Sequence, residues 1–345
     1  MQANALKAVL QNMGHEVEFL VFERSYEYIP QKQMKKYKIT IASVPYYAGY
    51  IFQKGVGNVI YNFHKNQRLK AYRQSQFVLK TPYDVFDGDA IVIGSDEVFS
   101  LEIGYNPMLY GVGLKSTRKL SYAGSFGPTT LEDIKRHGKE TAIGRALLQM
   151  DALSVRDQNS QNIVRQLTGI DVPLVCDPVL LYGYQTEMGE KKPGESDYIL
   201  VYAYDGRMND ADEVAAIQAY AKAQDKKLYS VGYYHKWCNR NINVSPEQLL
   251  RYIRNASLVI TDTFHGAVMS IICNTPMAVK IRGNTNKLRY LLTEYGLADQ
   301  IMADFSELES VSNHHIDFEA VNQIVREKRD SSMEYLKNAL GMKIC

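Results

Sequence analysis

The sequence contains few cysteines and no long hydrophobic run. Its four cysteines lie far apart without a C-x-x-C pair, so they indicate neither a disulfide framework nor a zinc site. No apolar run approaches the roughly 18 to 20 residues that a membrane-spanning helix needs. A signal peptide is not recognisable either. We therefore expect a cytoplasmic protein that binds no metal and does not itself cross a membrane.

Acidic residues are missing from the segment that runs from Tyr28 to Tyr83. This segment contains ten lysines and arginines interleaved with eight tyrosines, whereas the whole chain has a net charge of only +2. Such a stretch attracts anionic partners, and each base near an acidic lipid surface contributes about 1 kcal/mol. We hypothesise a peripheral contact with the inner face of the plasma membrane; nucleic acid is a competing anion that we do not expect. The alternative is a solvated helical hairpin whose tyrosines pack on the domain.

Glycine-rich nucleotide motifs are also missing, because no G-x-G-x-x-G follows a predicted strand and no G-x-x-x-x-G-K-[ST] occurs. Instead, apolar runs typical of strands alternate with helical periodicity along 345 residues, a length that favours two domains. We predict an α/β fold of two tandem doubly wound, Rossmann-like domains that face a cleft. The N-terminal domain covers residues 1–186 with the basic segment 28–83 as an insertion, and the C-terminal domain covers 187–345. The polar stretch 186–197 is the predicted linker.

Four predicted strands end in reactive side chains. Ligands of doubly wound sheets bind outside the carboxyl ends of the strands. Each position alone is a weak signal, because polar residues there often only cap the following helix. Together they offer carboxylates, a guanidinium and an imidazole, which suits a small dianion held between the domains. The positions are Ser95-Asp96-Glu97, Ser125-Phe126-Gly127, Arg156-Asp157 and Thr263-Phe264-His265-Gly266.

The last of these positions is typical of an anion site, because an apolar run at 258–260 leads directly into helical periodicity. A helix N-terminus presents unpaired N–H groups and partial positive charge. Gly266 lets a ligand approach the backbone, and His265 adds a donor. A histidine in an apolar stretch is about as often a satisfied core residue, so the spacing alone leaves both interpretations open. The candidate N-caps are Thr261, Asp262 and Thr263.

Five short blocks follow one another in a set order. They are GSDEVFS (94–100), SYAGSFG (121–127), SVRDQNS (154–160), CDPVLL (176–181) and TDTFHGAVMSIICNTP (261–276). In this order they resemble the polysaccharide pyruvyl transferase family. The resemblance implies a fold like that of GT-B glycosyltransferases and transfer of a pyruvyl group from phosphoenolpyruvate to two hydroxyls of a sugar, forming a ketal. It implies no metal and no cofactor besides the donor substrate.

The resemblance also implies which residues hold phosphoenolpyruvate. These are Arg156 of the S-x-R-[ED] block and His265 of the [ST]-F-H-G block. The carboxylate and the phosphate of the donor need cationic partners and fixed hydrogen-bond donors. We predict that Arg156 pairs with one of these groups in a bidentate way. We also predict that His265 and the helix start at Thr263, Phe264 and Gly266 hold the phosphate.

The attacking hydroxyl needs a base, and Asp96 and Glu97 are the candidates for acid/base catalysis. Family members usually have Gln and Trp at the positions of Glu97 and Phe99, so a role for Glu97 is a local hypothesis. Tyrosines suit stacking on sugar rings. Tyr50 and Tyr61 are further stacking candidates, and the candidates on the acceptor side are Ser95, Ser125, Tyr46 and Tyr47.

The first residues depart from the family pattern. Family members open with a strand and a loop bearing Asn and Gly before a helix that reads like L-Q-A-x-A-L. Here MQANAL, residues 1–6, begins inside that helix. We therefore expect the first strand of the N-terminal domain to be missing and the apolar face of the first helix to lack a neighbour.

Two other functions stay open. A nucleotide-sugar glycosyltransferase of the same architecture often has Glu-x7-Glu in its second domain. Glu319 and Glu327 have this spacing, although they lie on a charged terminal helix. The other alternative is a catalytically inactive glycan-binding relative. The expected acceptor is a capsular, exopolysaccharide or cell-wall glycan precursor, including one linked to a lipid diphosphate; the sequence does not specify the sugar or its hydroxyl pair.

Overall fold

The structure is a computed structural model that describes residues 1–21, 55–76, 79–83, 85–115, 118–190, 197–282 and 286–341. The chain divides into two compact units. Unit 1 contains Met1–Ile39, Phe77–Tyr182 and Val325–Cys345, and unit 2 contains Thr40–Gln76 and Gly183–Ile324. The described strands pair in parallel in both units, so the fold is α/β with tandem Rossmann-like units.

Strands and helices alternate along most of the described chain. The strands are β1 Phe19–Val21, β2 Leu79–Pro82, β3 Ala90–Gly94, β4 Arg118–Gly124, β5 Ala152–Val155, β6 Tyr198–Tyr202, β7 Lys227–Val231, β8 Arg240–Ile242, β9 Leu258–Thr261, β10 Met277–Lys280 and β11 Ile301–Met302. The helices are α1 Gln2–Asn12, α2 Val56–Gln76, α3 Leu131–Arg136, α4 Glu140–Leu148, α5 Gln158–Thr168, α6 Pro178–Tyr182, α7 Gln185–Met188, α8 Ala211–Ala223, α9 Pro246–Arg254, α10 Phe264–Cys273, α11 Asn286–Glu294, α12 Leu308–Asn313 and α13 Phe318–Ala339. Short 3-10 turns occupy Leu101–Ile103, Pro107–Tyr110, Ala298–Gln300 and Phe305–Glu307.

The sheet of unit 2 has six parallel strands in the order β11-β10-β9-β6-β7-β8. The chain adds β7 and β8 on one side of β6 and then β9, β10 and β11 on the other side. This is the doubly wound arrangement, and its topological switch point lies between β6 and β9. Every residue of β9 is buried, which confirms the strand predicted from the apolar run at 258–260. The edge strands β8 and β11, with three and two residues, are too short to show an apolar pattern.

Unit 1 contains a three-stranded parallel sheet, β3-β4-β5, and a parallel pair formed by β1 and β2. The strand predicted at 90–94 is confirmed with its bounds. Three aromatic rings lie at the centre of the core beside the sheet, with neighbouring centroids 5.1 to 6.4 Å apart. They belong to Phe99, Tyr110 and Phe126. Aromatic side chains of this size contribute much of the apolar area that a small core buries.

The apolar run LVCDPVLL at 174–181 predicts a strand by its pattern, and this prediction is wrong. Only Leu174 forms an isolated bridge, with Val155, and helix α6 begins at Pro178. The side chain of Asp177 accepts a hydrogen bond from the Val179 N–H at 2.9 Å. A carboxylate just before a proline is a favourable helix start, so this local chemistry prevails over the apolar run.

Helix starts are predicted better than helix lengths. The sequence offers Thr129 or Thr130 as the cap of one long helix, and Thr130–Asp133 and Ser245–Gln248 have the spacing of capping boxes. Both boxes form, with Thr130 as the cap. The prediction of a single long helix is wrong, because the chain forms α3 and α4 there. Gly138 lies between them with a φ of +62°, a conformation that glycine adopts easily and that ends a helix.

The two units differ from the predicted domains 1–186 and 187–345 at residues 183–186, which belong to unit 2, and in two longer segments. Helix α2 groups with unit 2, because the Tyr61 hydroxyl donates to the Ile242 carbonyl at 2.9 Å. The C-terminal part of α13 groups with unit 1, because the Ser332 hydroxyl accepts a hydrogen bond from the Cys176 N–H at 3.0 Å. Each contact joins residues more than 150 positions apart, so local patterns do not reveal it.

Helix α1 buries its apolar face in unit 1. Helix α6 packs against α1, so the expectation that this face lacks a neighbour is wrong. The buried side chains of α1 recur at the helical spacing i, i+3, i+4, so burial of apolar surface holds the two helices together. The buried side chains of α1 are Ala5, Leu6, Val9 and Leu10.

Candidate functional site

Three strand ends of unit 1 bring together residues that the sequence predicts there. Strands β3, β4 and β5 are parallel neighbours, so their carboxyl ends lie at one edge of the sheet. The Ser125 N–H donates to the Asp96 carbonyl at 3.1 Å, and the Ser125 hydroxyl donates to Asp157 Oδ2 at 2.6 Å. The predicted positions at 95–97, 125 and 156–157 therefore form one site.

Arg156 lies in this site and is bound to two carboxylates. Its Nη1 donates to Asp177 Oδ2 at 3.0 Å, and its Nη2 donates to Asp96 Oδ1 at 2.8 Å. The Arg156 side chain is 1% exposed, whereas that of Asp96 is 52% exposed. Burial lowers the pKa of Arg156, but the carboxylates of Asp177, Asp96 and Asp157 outweigh burial and raise the pKa above its ordinary value. The group that this acidic cluster (Asp96, Arg156 and Asp177) presents to solvent is the Asp96 carboxylate.

Asp177 is a site residue that sequence reasoning missed. It is buried, and its Oδ2 accepts a second hydrogen bond from Gln2 Nε2 at 2.7 Å. A buried carboxylate needs a counter-charge and several donors, and Arg156 with Gln2 supplies them. The signal for it is the Asp-Pro pair inside the CDPVLL block, where a carboxylate precedes the first residue of α6.

The other candidates of unit 1 have different surroundings. The Ser95 side chain is buried, and its hydroxyl has no hydrogen-bond partner among the residues that the structure describes. The Ser125 hydroxyl is also buried and accepts a hydrogen bond from the Gly127 N–H at 2.9 Å, in addition to the bond that it donates to Asp157. Glu97 is half-buried and packs on Gly127, where an added Cβ would lie 2.7 Å from Glu97 Cδ.

The carboxyl end of β9 in unit 2 leads directly into α10. Of the three candidate N-caps, Thr263 is the one that caps this helix, since its hydroxyl accepts from the Gly266 N–H at 2.9 Å. Thr261 instead donates to the Tyr202 carbonyl at 2.7 Å and so ties β9 to β6 across the switch point. Asp262 serves neither purpose and forms ion pairs, described below.

Gly266 is required here for packing, while its predicted role in letting a ligand approach the backbone stays a prediction. An added Cβ would lie 2.2 Å from Thr261 Oγ1 and 2.8 Å from Thr263 Oγ1, closer than such atoms can approach. The missing side chain makes room for these two hydroxyls, which hydrogen bond to each other at 3.0 Å. Gly266 is buried, so the structure gives it a packing role beneath the helix start.

Phe264 and His265 occupy the first turn of α10 and are both partly exposed. Their rings meet edge to face with centroids 5.7 Å apart, and Lys287 Nζ lies 5.8 Å from the centroid of the Phe264 ring. His265 is therefore not a core histidine. It stands at the switch point of the sheet, where doubly wound folds bind ligands.

Two arginines that sequence reasoning missed lie beside this helix start. Asp262 has a fully buried side chain, and Arg282 Nε donates to its Oδ2 at 2.7 Å. Arg207 Nη1 lies 3.6 Å from Asp262 Oδ1. Burial raises the pKa of Asp262, although both arginines oppose this rise. The side chains of Arg207 and Arg282 are 40% and 29% exposed, and Arg282 Nη2 also donates to Glu213 Oε2 at 2.8 Å. In this arginine cluster (Asp262, Arg207 and Arg282), Arg207 therefore presents the guanidinium that is more open to solvent.

Sequence signals for these arginines exist but are weak alone. Arg207 follows the end of β6 and Arg282 follows the end of β10, so both stand at carboxyl ends of strands. Strand order places β6 and β10 on either side of β9, and Asp262 follows the last residue of β9. The meeting of the three residues depends on that order, and the sequence does not show it.

Tyrosines line the carboxyl ends of β6 and β7. Tyr233 meets Tyr202 and Tyr204 edge to face, with centroids 5.2 and 5.3 Å apart. Lys65 of α2 lies with Nζ 4.1 Å from the Tyr233 centroid, and burial lowers the pKa of this lysine although Asp205 opposes the effect. The basic segment predicted from the sequence thus contributes a cation to the strand ends of unit 2.

The tyrosines proposed for sugar stacking are only partly described. Tyr61 is buried, and its ring packs on Tyr234 with centroids 5.6 Å apart, so it is a packing residue of α2 and is not exposed for stacking. The other three candidates, Tyr46, Tyr47 and Tyr50, lie outside the described residues.

Metal ligands do not gather in the described part of the chain, where no group of three or more His, Cys, Asp or Glu side chains could hold an ion. Three cysteines in it, Cys176, Cys238 and Cys273, are buried free thiols. Glu319 and Glu327 lie on the terminal helix α13, as their sequence position indicates. Among the helices that are described, none is both long and apolar enough to cross a bilayer.

Comparison with known proteins identifies the family. The family model for polysaccharide pyruvyl transferase matches residues 1–280. The chain belongs to this family. Family membership makes the protein a transferase, and the match spans the blocks that carry Asp96, Arg156 and His265. A search of curated proteins finds no significant match.

Three solved structures resemble this chain at low sequence identity. The UDP-GlcNAc 2-epimerase of Methanocaldococcus jannaschii, in complex with UDP-GlcNAc and UDP, is 14% identical with a TM-score of 0.49 and covers 94% of this chain and 95% of its own. The glycotransferase of kitacinnamycin is 12% identical with a TM-score of 0.47, covering 97% and 89%. SnogD, a glycosyltransferase of Streptomyces nogalater, is 11% identical with a TM-score of 0.39, covering 98% and 95%.

Proposed function

We propose that the protein transfers the pyruvyl group of phosphoenolpyruvate to two hydroxyls of a sugar and forms a pyruvate ketal. The observation that carries the proposal is the arginine cluster beside His265 at the switch point of unit 2. The donor has a carboxylate and a phosphate close together, and it needs several positive or hydrogen-bond donating groups. Family membership supports the pyruvyl group, and the cluster supports an anionic donor.

The donor phosphate suits the first turn of α10. This helix has ten residues, and its N-terminus adds partial positive charge to the imidazole of His265. Arg207 and Arg282 are held in place by the buried Asp262, so they lose little side-chain freedom when a ligand binds. We assign these two arginines and His265 to the phosphate and carboxylate of the donor, with Phe264 and Thr263 shaping the helix start.

The binding of phosphoenolpyruvate by Arg156 stays a prediction, and the contacts of Arg156 support a second role. Both of its terminal nitrogens donate to carboxylates, and one of these is the exposed Asp96. We therefore propose that Arg156 is a positioning residue that orients Asp96. The predicted cleft shared by both domains likewise stays a prediction.

Asp96 is the proposed base, and Glu97 is the alternative. A first sugar hydroxyl attacks C2 of phosphoenolpyruvate and gives its proton to the Asp96 carboxylate, while the C2–C3 π pair bonds to a proton from solvent at C3, which becomes the methyl group. Asp96 then returns the proton that it took to solvent, so no net proton is consumed. A second hydroxyl then bonds to C2 as the C2–O bond to phosphate breaks. Phosphate leaves with that electron pair, and it takes up the proton of the second hydroxyl. Fixed cations stabilise the departing phosphate.

The acceptor class follows from the family and the charge of the segment 28–83. We propose a precursor of a capsular, exopolysaccharide or cell-wall glycan that is linked to a lipid diphosphate at the inner membrane face. A lipid diphosphate is anionic, and this segment has ten basic and no acidic residues. Ser95, with its buried hydroxyl near the base, is the candidate of unit 1 for contact with an acceptor hydroxyl.

Phosphate release tests this function against its alternatives. The purified protein is incubated with glycan acceptors and either phosphoenolpyruvate or UDP-sugars, and phosphate and UDP are measured. We expect acceptor-dependent phosphate release, which His265→Ala reduces more than about a hundredfold. The matched control, His315→Ala, changes an exposed histidine of the same unit and should leave the rate unchanged. UDP release would favour a glycosyltransferase, and release of neither would favour a glycan-binding relative.

A further inference from the structure

Helix α2 has two unlike faces. On one face, Tyr61, Asn62 and Arg68 hydrogen bond to the rest of unit 2 at 2.9 to 3.1 Å. On the opposite face, Val56 and Phe63 are 64% and 59% exposed, and Ile60 between them is 53% exposed. The spacing i, i+4, i+7 places these three side chains on one line along the helix. The helix is therefore fixed by its polar face and exposes its apolar one.

This apolar line is unusual among the exposed residues of the protein. The other exposed large apolar side chains that the structure describes are isolated along the sequence. Exposed apolar residues that occur singly need no explanation, but a contiguous patch marks a contact surface. The isolated ones are Val21, Val85, Val112, Leu148, Ile170 and Tyr204.

The charges beside the apolar line indicate the kind of partner. Lys70 continues the line two turns beyond Phe63, and Arg73 follows in the last turn; both are exposed. From Tyr28 to Tyr83 no acidic residue balances them. Apolar side chains with flanking bases and no acids are typical of helices that lie in the surface of an anionic bilayer.

We propose that this outer stripe (Val56, Ile60, Phe63 and Lys70) docks unit 2 on an anionic lipid bilayer. The three apolar side chains enter the boundary between headgroups and acyl chains, while Lys70 and Arg73 meet the lipid phosphates. Since the other face of α2 is bonded to unit 2, docking holds that unit at the membrane surface. The inference specifies which residues make the membrane contact of the proposed function, but it does not depend on the transfer of a pyruvyl group from phosphoenolpyruvate.

The composition of the stripe argues against two other occupants. A second copy of the chain would bring like charges together, because α2 has no acidic residue to pair with Lys70 and Arg73. A nucleic acid backbone would pair with the bases but would leave Val56, Ile60 and Phe63 in water. An anionic bilayer satisfies both the apolar and the basic groups.

Vesicle sedimentation with the full chain tests this inference. Vesicles of phosphatidylglycerol and phosphatidylcholine in equal parts are compared with pure phosphatidylcholine, at low and at physiological salt. We expect binding to the anionic vesicles only, weakened but retained at physiological salt because the apolar contribution is not screened. Lys70→Glu with Arg73→Glu should weaken partitioning by roughly thirtyfold or more, and Ile60→Gln with Phe63→Gln by about tenfold.

The matched control is Leu148→Gln with Ile170→Gln, which removes two exposed apolar side chains of unit 1. It should partition like the unchanged protein. No binding to anionic vesicles, or binding that the glutamine pair at 60 and 63 leaves unchanged, overturns the inference. So does self-association in sedimentation that the same pair abolishes. Phosphate release on a water-soluble acceptor is measured in parallel, so a failed membrane contact and a failed enzyme are told apart.

Discussion

The acidic cluster of unit 1 and the arginine cluster of unit 2 use the same residue types in opposite proportions. In unit 1 one buried guanidinium, that of Arg156, holds two carboxylates, and the exposed member is Asp96. In unit 2 one buried carboxylate, that of Asp262, holds two guanidiniums; Arg207 is 40% exposed, and Arg282, which is 29% exposed, also pairs with Glu213 at 2.8 Å. Each cluster keeps its central charge away from water and so fixes the direction of the outer groups.

This difference shows how the two units come to expose groups of opposite charge. A buried charge is tolerated only when it is paired, so the central residue of each cluster must recruit partners of the opposite sign. The partners then determine what the surface offers: a carboxylate in unit 1 and guanidiniums in unit 2. A pyruvyl transfer needs both, a base for the hydroxyl and cations for the donor.

The largest expected effect is on the exposed group of the acidic cluster. Asp96→Asn removes the proposed base but keeps an oxygen that can accept from Arg156, so the fold should be preserved. We expect kcat to fall about 10² to 10⁴-fold with the KM for phosphoenolpyruvate unchanged, measured by phosphate release. Asp87→Asn, at an exposed aspartate of the same unit, is the control. An unchanged kcat would remove Asp96 from the chemistry and leave Glu97 as the candidate.

Replacement of the central residue should lower the free energy of unfolding more in the acidic cluster than in the arginine cluster. Arg156→Met leaves Asp177 buried without its counter-charge, so we expect the free energy of unfolding to fall by about 3–5 kcal/mol in urea titrations. Arg156→Met combined with Asp177→Asn should recover part of this loss. Asp262→Asn should cost less, about 1–3 kcal/mol, because water can hydrate the arginines that it leaves. Equal losses in the two units would contradict the proposed contrast in exposure.

The exposed groups of the arginine cluster should affect donor binding. We expect Arg207→Gln and Arg282→Gln each to raise the KM for phosphoenolpyruvate about tenfold to a hundredfold, since each removes a charge-assisted hydrogen bond. The effect on kcat should be smaller. Arg289→Gln, at an exposed arginine of α11, is the control for a change of net charge. A fall in kcat at constant KM would instead place these arginines with the departing phosphate.

Local sequence patterns predicted the elements that these clusters stand on. The apolar runs at 90–94 and 258–260 identified β3 and β9, and capping residues identified the starts of α3 and α9. The family blocks placed Arg156 and His265 at strand ends, where the structure has them. Such features depend on a few neighbouring residues, so periodicity and capping chemistry are enough to reveal them.

Contacts between distant segments could not be predicted in this way. Arg207, Asp262 and Arg282 meet only because β6, β9 and β10 are neighbours in the sheet, and the sequence does not state that order. The grouping of α2 with unit 2 depends on hydrogen bonds to residues near 242. The packing of Gly266 against the hydroxyls of Thr261 and Thr263 likewise depends on the folded helix start.

The smallest expected effect concerns a buried histidine near the end of β6 in unit 2. His235 is fully buried, its Nε2 lies 3.1 Å from the Ala203 carbonyl just beyond β6, and burial lowers its pKa below the ordinary value of about 6.5. The folded protein thus keeps this imidazole neutral while the unfolded chain protonates it. Stability should therefore be full above about pH 6.5 and fall as the pH drops below it, by at most about 1.4 kcal/mol per pH unit for one proton. Urea titrations across this range should show the slope in the unchanged protein and in His315→Gln, but not in His235→Gln. If the free energy of unfolding of His235→Gln still falls as the pH drops, carboxylates and not His235 cause the loss of stability in acid. Unit 2 would then be no more sensitive to acid than unit 1.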